Sequence, residues 1–325
     1  MVNGKAGQLL QPCSAAVGEA YPSRPVRYVV PFGAGPTAEQ ARWLAQRLSV
    51  AWGQPVVVEN HPGASGALGT AAVAQAAPDG YTLLAANPGP LTVGPSIRAG
   101  LGYDPLQDFS PIILLATLAS VIAVHPRVPA ESIAALVALA QARPGELRFG
   151  SPGVGTVGHL AMELFQHAAG VRLSHRPCEG LDEAIPALAA GRFDVLVIPL
   201  PEARPLALAG GIRALAVTRR TRSTLWPELP TAEEAGVRGF DSFNWNGVAA
   251  PARTPHAIVE RVNGEIDRLL GSADGRHYFE SRGYEIAGGV PETFGAFIRA
   301  EYHKWHNVAR MVGVQARGVS APRWW

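Results

Sequence analysis

Three glycine-rich loops are the parts of this sequence best suited to binding an anion. They comprise residues 32–37, 59–66 and 150–156, called here the first, second and third loops, and each follows a short apolar strand and precedes a helical pattern. A loop that leads into a helix leaves backbone N–H groups unpartnered, and the helix dipole adds partial positive charge there. One such loop is typical of a plain tight turn, but three of them predict a shared cleft for a carboxylate or phosphate.

Local signals at the helix starts extend this prediction. Thr37 and Gln40 fit a capping box, in which each side chain accepts a hydrogen bond from the backbone N–H of the other residue. A fourth candidate loop, residues 87–90, follows a strand and places Asn87 near the same cleft. His159 falls in the first turn after the third loop, where it could contact a ligand or serve as a structural residue.

The third loop also fits a different class of protein. Residues 153–158 read G-x-G-x-x-G after a strand and before a helix, and Glu179 lies about 20 residues further on, as in dinucleotide-binding sites. A nicotinamide-dependent oxidoreductase therefore stays open as an alternative. No acid or base pair for hydride transfer follows downstream, which favours an anion-binding loop.

The sequence does not place the residues needed for metal binding or nucleophilic catalysis in a usable arrangement. His303 and His306 are spaced i, i+3 on a charged helical face, so no metal site is predicted. Ser65 and Ser151 lie in glycine-rich loops, but no His and Asp can be assigned to either as a catalytic set. We predict no catalytic residue and no cofactor, and we interpret the two hydroxyl groups as ligand-binding donors.

Composition limits the class of partner. The 325 residues are 47% hydrophobic and 17% charged, with a formal net charge of +2, which argues against a nucleic-acid partner. Alternating apolar strands and amphipathic helices predict an α/β fold with largely parallel sheets. No apolar run approaches the length of a membrane span.

The strand and glycine-loop pattern occurs once before residue 120 and again after residue 125, which predicts two lobes. We expect lobe 1 to comprise residues 21–121 and 246–314, with lobe 2, residues 122–245, inserted through two crossover strands that act as a hinge. Residues 315–325 would form a tail. Residues 1–20 fit either a degraded secretory signal or a misassigned start, because their apolar core is short and is interrupted by Gln11, Pro12 and Cys13.

Several motifs, in this order along the chain, resemble the Bug receptors, the substrate-binding proteins of tripartite tricarboxylate transporters. The likeness runs from about residue 21 to residue 313. The segments that carry it are residues 21–32, 57–66, 78–83, 103–109, 153–159, 215–218, 230–236, 245–247, 254–255 and 301–305.

The resemblance implies an α/β, two-lobed periplasmic binding protein (type II-like), each lobe a mixed, mostly parallel sheet flanked by helices. It implies a monomer that closes on a small organic carboxylate and delivers it to the membrane components of the transporter. Backbone N–H groups, hydroxyl groups and ordered waters would hold the carboxylate in the cleft between the lobes. The expected ligand-binding residues are Phe32, Gly33, Ala34, Gly35, Thr37, Gly63, Ala64, Ser65, Gly66, Asn87, Ser151, Gly155, Thr156, His159 and Pro199.

Three positions depart from the pattern of the family. Ala38 replaces the usual Asp after the first loop, Glu179 replaces a Lys, and Pro199 stands where a strand usually ends in a polar group. These changes predict an altered ligand, such as a smaller or more apolar monocarboxylate, or a loss of binding. A receptor that signals through a partner and no longer transports is a further alternative.

Overall fold

The computed structural model of the protein describes residues 21–313, so the predicted leader (1–20) and tail (315–325) lie outside the described residues. The strands are β1 (Val26–Val30), β2 (Val56–Asn60), β3 (Thr82–Ala86), β4 (Phe109–Val124), β5 (Arg148–Ser151), β6 (Ser174–Pro177), β7 (Val195–Pro199), β8 (Arg213–Val217), β9 (Phe243–Pro251) and β10 (Glu285–Gly288). The helices are α1 (Pro36–Trp52), α2 (Ala67–Ala74), α3 (Gly94–Ile97), α4 (Ile133–Ala142), α5 (Val157–Ala169), α6 (Leu181–Ala189), α7 (Leu200–Leu208), α8 (His256–Gly271), α9 (Ala273–Glu280) and α10 (Pro291–Val312).

Strand β4 joins two groups of strands. Its first part, Phe109 to Ala119, pairs antiparallel with β9, and from Ser120 to Val124 it pairs with β7 and β8 instead. In the first group β1 lies parallel to β2 and β3, and in the second β5 lies parallel to β6 and β7. The sheet is therefore mixed, with parallel outer strands around antiparallel crossing strands. The residue limits of the two lobes remain a prediction.

Each group of strands has its own apolar core. Tyr28 and Leu83 of the first group pack against Leu44 of α1 and Ile266 of α8. In the second group Phe149 packs with Phe165 of α5 and with other buried side chains of α4 and α5. Helices of period 3.6 bury one stripe of side chains, and this burial holds the loops at the strand ends in fixed positions.

Helix α10 connects the two groups. The sequence predicts a long final helix from about Pro291 to Val312, which the structure confirms. The second half of this helix carries Trp305, which is completely buried. Trp305 packs in one cluster with Ile97 of α3 and Leu160 of α5. No helix between residues 21 and 313 is both long enough and apolar enough to cross a membrane.

The predicted capping box at Thr37 is wrong. Helix α1 begins at Pro36, its N-cap is Gly35 with φ +138°, and no side chain caps it. Proline at the first helical position is pre-set for the helix, and a glycine accepts the positive φ, so the helix starts one residue before Thr37.

Four further local predictions are corrected. The sequence predicts separate strands at residues 111–115 and 121–124, but they are one strand, β4, and the fourth loop becomes helical directly after Asn87. Residues 231–234 fit a second capping box, and its reciprocal bonds between Thr231 and Glu234 form at 2.9 Å each, but a turn follows instead of a helix. Pro255 is predicted as the first residue of a helix, but it precedes α8 as its N-cap.

Candidate ligand-binding cleft

A cavity of about 210 Å³ lies between the two groups of strands. Residues of the first group line one side of it, residues of the second group line the other, and Ser120 of β4 and Asn244 of β9 lie between them. A second cavity of about 250 Å³ adjoins it, since Phe32 and Asn87 line both. Together the two cavities form the cleft.

Most of the predicted site residues line the cleft. Those in the first cavity are Phe32, Ser65, Asn87, Gly155, Thr156 and Pro199, and those in the second are Phe32, Gly33, Ala34, Gly35, Thr37 and Asn87. The predicted residues that line neither cavity are Gly63, Ala64, Gly66, Ser151 and His159.

The side chain of Asn60, the last residue of β2, holds the first loop in place. The Nδ2 group of Asn60 donates hydrogen bonds to the carbonyl oxygens of Phe32 at 2.8 Å and Gly33 at 3.0 Å. Thr37 and Ala38, in the first turn of α1, line the second cavity. Their N–H groups have no acceptor within the helix, so this wall carries partial positive charge.

The second loop has an unusual backbone. Ala64 and Ser65 adopt φ values of 49° and 57°, between Gly63 and Gly66, which also have positive φ. Non-glycine residues in this region carry strain of about 1–3 kcal/mol each, so surrounding contacts must hold them there. Arg98 supplies such contacts: its Nη1 donates to the Ala64 carbonyl at 3.0 Å, and its Nη2 donates to Ser65 Oγ at 3.2 Å.

Asn87 has both ends of its amide occupied by protein groups. Its Nδ2 donates to Oδ1 of Asn246 at 3.0 Å, and its Oδ1 accepts the Gly89 N–H at 3.2 Å. These bonds join the end of β3 to β9. Asn87 therefore forms part of the wall between the two cavities.

The third loop ends at a capped helix. Oγ1 of Thr156, the N-cap of α5, accepts the His159 N–H at 3.3 Å. Val157 and Gly158 line the first cavity, and their N–H groups, in the first helical turn, have no acceptor within the helix. The loop also meets the opposite side of the cleft, because a Cβ atom at Gly155 would lie 2.0 Å from Cδ1 of Ile97.

His159 and Ser151 lie beneath the third loop. His159 is 3% exposed, and its Nδ1 accepts the Gly155 N–H at 3.1 Å. Ser151 is completely buried, and its Oγ lies 2.7 Å from Nε2 of His175, a Ser–His contact that the sequence did not reveal. The His175 ring stacks on His159 with centroids 4.1 Å apart. Burial, together with the neighbouring His159, lowers the pKa of His175 to about 4.

The described residues bear on the catalytic, metal-binding and dinucleotide-binding alternatives. Because Ser151 is buried and lines neither cavity, its contact with His175 positions the loop and presents no nucleophile. In the described part of the chain, no three His, Cys, Asp or Glu side chains lie together as a metal site. The G-x-G-x-x-G segment lies where a strand meets α5, but Glu179 is exposed and its N–H bonds to Glu183.

Sequence reasoning missed Arg98, the charged residue of the first cavity. It directly follows α3, a short helix that was not predicted from the sequence, and it reaches residues 33 and 34 positions earlier in the chain. No motif in the sequence signals this contact. Ser120 and Asn244 were missed as site residues too, although they lie on the predicted crossover strands.

Comparison with known proteins identifies the family. Residues 40–314 match the model of the tripartite tricarboxylate transporter family receptor. The chain is 38% identical to a UPF0065 protein in the tcbD-tcbE intergenic region of Pseudomonas sp. (strain P51), over 89% of this chain and 87% of that protein. It is 34% identical to Protein BugT of Bordetella pertussis, over 92% of each chain.

A solved structure supports the same assignment. The structure of R. palustris Rpa4515 with adipate superposes with a TM-score of 0.80 at 37% identity, over 91% of this chain and 99% of that one. These matches confirm the predicted α/β fold, a two-lobed periplasmic binding protein with its cleft between the lobes. They also confirm the resemblance found in the sequence motifs. The chain belongs to the receptor family of the tripartite tricarboxylate transporters.

Proposed function

We propose that this protein is a periplasmic receptor that captures a small organic carboxylate in its cleft. It then delivers the ligand to the membrane components of a tripartite tricarboxylate transporter. The observation that carries the proposal is the convergence of two helix starts on adjoining cavities. The N-terminal turns of α1 and α5 line these cavities, and both supply N–H groups that suit a carboxylate.

The size of the cleft supports a small ligand. Each cavity by itself, at about 210 and 250 Å³, is smaller than the ~300–1,000 Å³ typical of sites for drug-sized molecules, so a ligand held in one of them must be small. The related R. palustris Rpa4515 was solved with adipate, a compact carboxylate. A ligand of similar size is therefore the expected class.

Binding without conversion is the favoured role. Among the described residues that line the two cavities there is no Asp, Glu, His or Cys. General acid or base catalysis requires a titratable group within hydrogen-bond reach of the reacting atoms. We propose that the ligand is released without chemical change. We also propose that the protein is a monomer with two lobes that close on the ligand: residues 21–121 with 246–314, and residues 122–245.

A thermal-shift screen followed by calorimetric titration tests the proposal. The protein is screened against mono-, di- and tricarboxylates, amino acids and NADH. A ligand at a hundredfold excess over its Kd stabilises the folded state by roughly 2.7 kcal/mol, which gives a clear shift. We expect one carboxylate class to stabilise the protein, and Gly35→Trp and Ala34→Trp, which fill the second cavity, to abolish the shift. Stabilisation by NADH alone, or by no carboxylate, contradicts the proposal.

A further inference from the structure

Arg98 places a positive charge in the wall of the first cavity. Among the described residues that line this cavity it is the one charged side chain. It follows directly after Ile97, whose side chain contacts Gly155 of the opposite lobe. The guanidinium therefore lies next to the point where the two sides of the cleft meet.

The protein leaves this guanidinium incompletely paired. Two N–H groups bond to the Ala64 carbonyl and to Ser65 Oγ, out of the five that an arginine carries. Its Nε is fully buried and has no hydrogen-bond partner within residues 21–313. No Asp or Glu of the described chain forms an ion pair with Arg98. The residue is only partly buried, so its remaining N–H groups are open to a ligand, and a carboxylate pairs with a guanidinium more strongly than a neutral acceptor does.

The facing wall carries a second electropositive feature. Val157 and Gly158 line the same cavity and present the free N–H groups of the first turn of α5. The cavity is thus flanked by a full positive charge on one side and a helix N-terminus on the other. A ligand with one acidic group can pair with only one of these two features, whereas a ligand with two acidic groups can pair with the guanidinium and with the helix N-terminus together.

We propose that Arg98 determines the specificity of the cleft by pairing with the second carboxylate of a short dicarboxylate. The first carboxylate is held by the N–H groups at the start of α5. This inference rests on the proposed function and deepens it. It differs from the sequence-based expectation of a smaller or more apolar monocarboxylate, because Arg98 adds a positive charge to the cavity.

Arg98 also braces the strained second loop, and this role needs to be separated from ligand recognition. Loss of bracing would weaken every ligand alike, whether or not it carries a second charge. Loss of a charge partner would weaken dicarboxylates selectively. The substitution Arg98→Lys distinguishes the two roles, because lysine keeps the positive charge but lacks the planar guanidinium group that contacts two acceptors at once.

The experiment measures the dissociation constants of adipate and of its monoamide, adipamate, by calorimetry. Succinate and glutarate, each with its monoamide, are measured alongside. The proteins are the wild type, Arg98→Gln, Arg98→Lys and, as a matched control, Arg299→Gln, which replaces an exposed arginine of α10. The unliganded melting temperature of each variant is recorded to show that it is folded.

We expect wild type and Arg299→Gln to bind the best dicarboxylate roughly 10–100-fold more tightly than its monoamide, the value of a charge-assisted hydrogen bond. Arg98→Gln should reduce this ratio to less than about threefold, and Arg98→Lys should retain most of it. The inference is overturned if Arg98→Gln leaves the ratio of the two dissociation constants unchanged. It is also overturned if the dicarboxylate and its monoamide lose affinity equally in both Arg98→Gln and Arg98→Lys.

The outcome also separates this inference from the proposed function. If the wild type binds hexanoate but none of the three dicarboxylates, the receptor function stands and the role of Arg98 is wrong. If no carboxylate of the screen binds, the proposed function itself is wrong.

Discussion

The backbone N–H of Gly155 donates a hydrogen bond of 3.1 Å to Nδ1 of His159. Because a backbone N–H can only donate, this Nδ1 carries a lone pair, and the ring proton lies on Nε2. Oε1 of Glu163 lies 3.6 Å from that Nε2. The conformation of the third loop therefore depends on this ring nitrogen as a hydrogen-bond acceptor, and His175 is stacked against the same ring.

Acid should destabilise the protein through His175. Burial lowers its pKa from 6.5 to about 4 in the folded protein. Between these values the unfolded chain binds a proton that the folded chain does not, so the free energy of unfolding falls as the pH drops from 6.5 to 4. Above pH 6.5 the contribution is constant. Because the ring is partly exposed, we expect an effect on the order of 1–2 kcal/mol.

Urea denaturation at pH 7 and pH 4.5 measures this effect. His175→Gln should show a smaller loss of stability between the two pH values than the wild type. His277→Gln, which removes an exposed histidine of α9, should behave like the wild type. Equal losses in all three proteins would show that His175 does not titrate as described.

Gly155 should not tolerate a side chain. Its φ is +78°, and a Cβ atom would lie 2.0 Å from Cδ1 of Ile97. Gly155→Ala should therefore lower the free energy of unfolding by about 1–3 kcal/mol, through backbone strain and displacement of Ile97. Gly170 is the matched control, because its φ is +63° but nothing lies within 4 Å of its Cβ position.

A double-mutant cycle separates the two causes. In an Ile97→Ala background the steric part disappears, so Gly155→Ala should cost about 0.5–2 kcal/mol less than in the wild type. Gly170→Ala should cost the same in both backgrounds. Additive effects of Gly155→Ala and Ile97→Ala would mean that the two residues do not touch.

The sequence predicted those features whose signals are local. Helix α10 was predicted correctly, because Pro291 and Gly313 mark its ends and its apolar residues repeat with the helical period. The first loop was placed correctly, but Thr37 was wrongly taken as the N-cap, since Pro36 starts the helix earlier. Short elements such as α9 and β10 were missed, because their few residues carry no clear periodicity.

The parts of the cleft that depend on tertiary contacts could not be predicted. Arg98 reaches the second loop because the helical segment before α3, residues 89–93, packs against residues 64–66, and no residue pattern near position 98 indicates that contact. The same holds for the contact of Ser151 with His175, which joins two neighbouring strands. Local signals located the loops of the cleft, whereas the charge in its wall emerged from the packing of distant segments.

Asp194 should stabilise the second group of strands. Its carboxylate accepts the Arg148 backbone N–H at 2.8 Å and the Arg127 Nη2 group at 2.8 Å. Burial works to raise the pKa of Asp194, but the hydrogen bonds from the two arginines outweigh it and hold the pKa below its ordinary value. This stability is present above the ordinary carboxyl pKa and is lost as the pH falls towards the lowered value.

Asp194→Asn removes the charge and keeps the size of the side chain. We expect it to lower the free energy of unfolding at pH 7 by about 1–3 kcal/mol, measured by urea denaturation. Glu280→Gln, which alters an exposed carboxylate of α9, should change it by less than about 0.5 kcal/mol. If Asp194→Asn has the same free energy of unfolding as the wild type, the negative charge of Asp194 does not contribute to stability through its bonds to the arginines.

Trp305 should couple the stability of the protein to the geometry of its cleft. It is completely buried, its Nε1 donates to Oε2 of Glu301 at 3.1 Å, and it packs in the cluster that contains Ile97 and Leu160. Ile97 precedes Arg98, and Leu160 lies in the first turns of α5, so both neighbours support residues of the first cavity. A void at Trp305 should therefore loosen the two walls of that cavity as well as the core.

Trp305→Ala should lower the free energy of unfolding by about 3–5 kcal/mol, the usual cost of a large cavity. Trp305→Phe should lose about 1–2 kcal/mol, because it keeps most of the volume but not the hydrogen bond. Met311→Ala on the same helix is the control, since Met311 is 51% exposed. Calorimetric titration well below the melting temperature should show weaker carboxylate binding in Trp305→Ala than in Met311→Ala. Equal binding in these two variants would show that the cluster stabilises the fold without positioning the cleft.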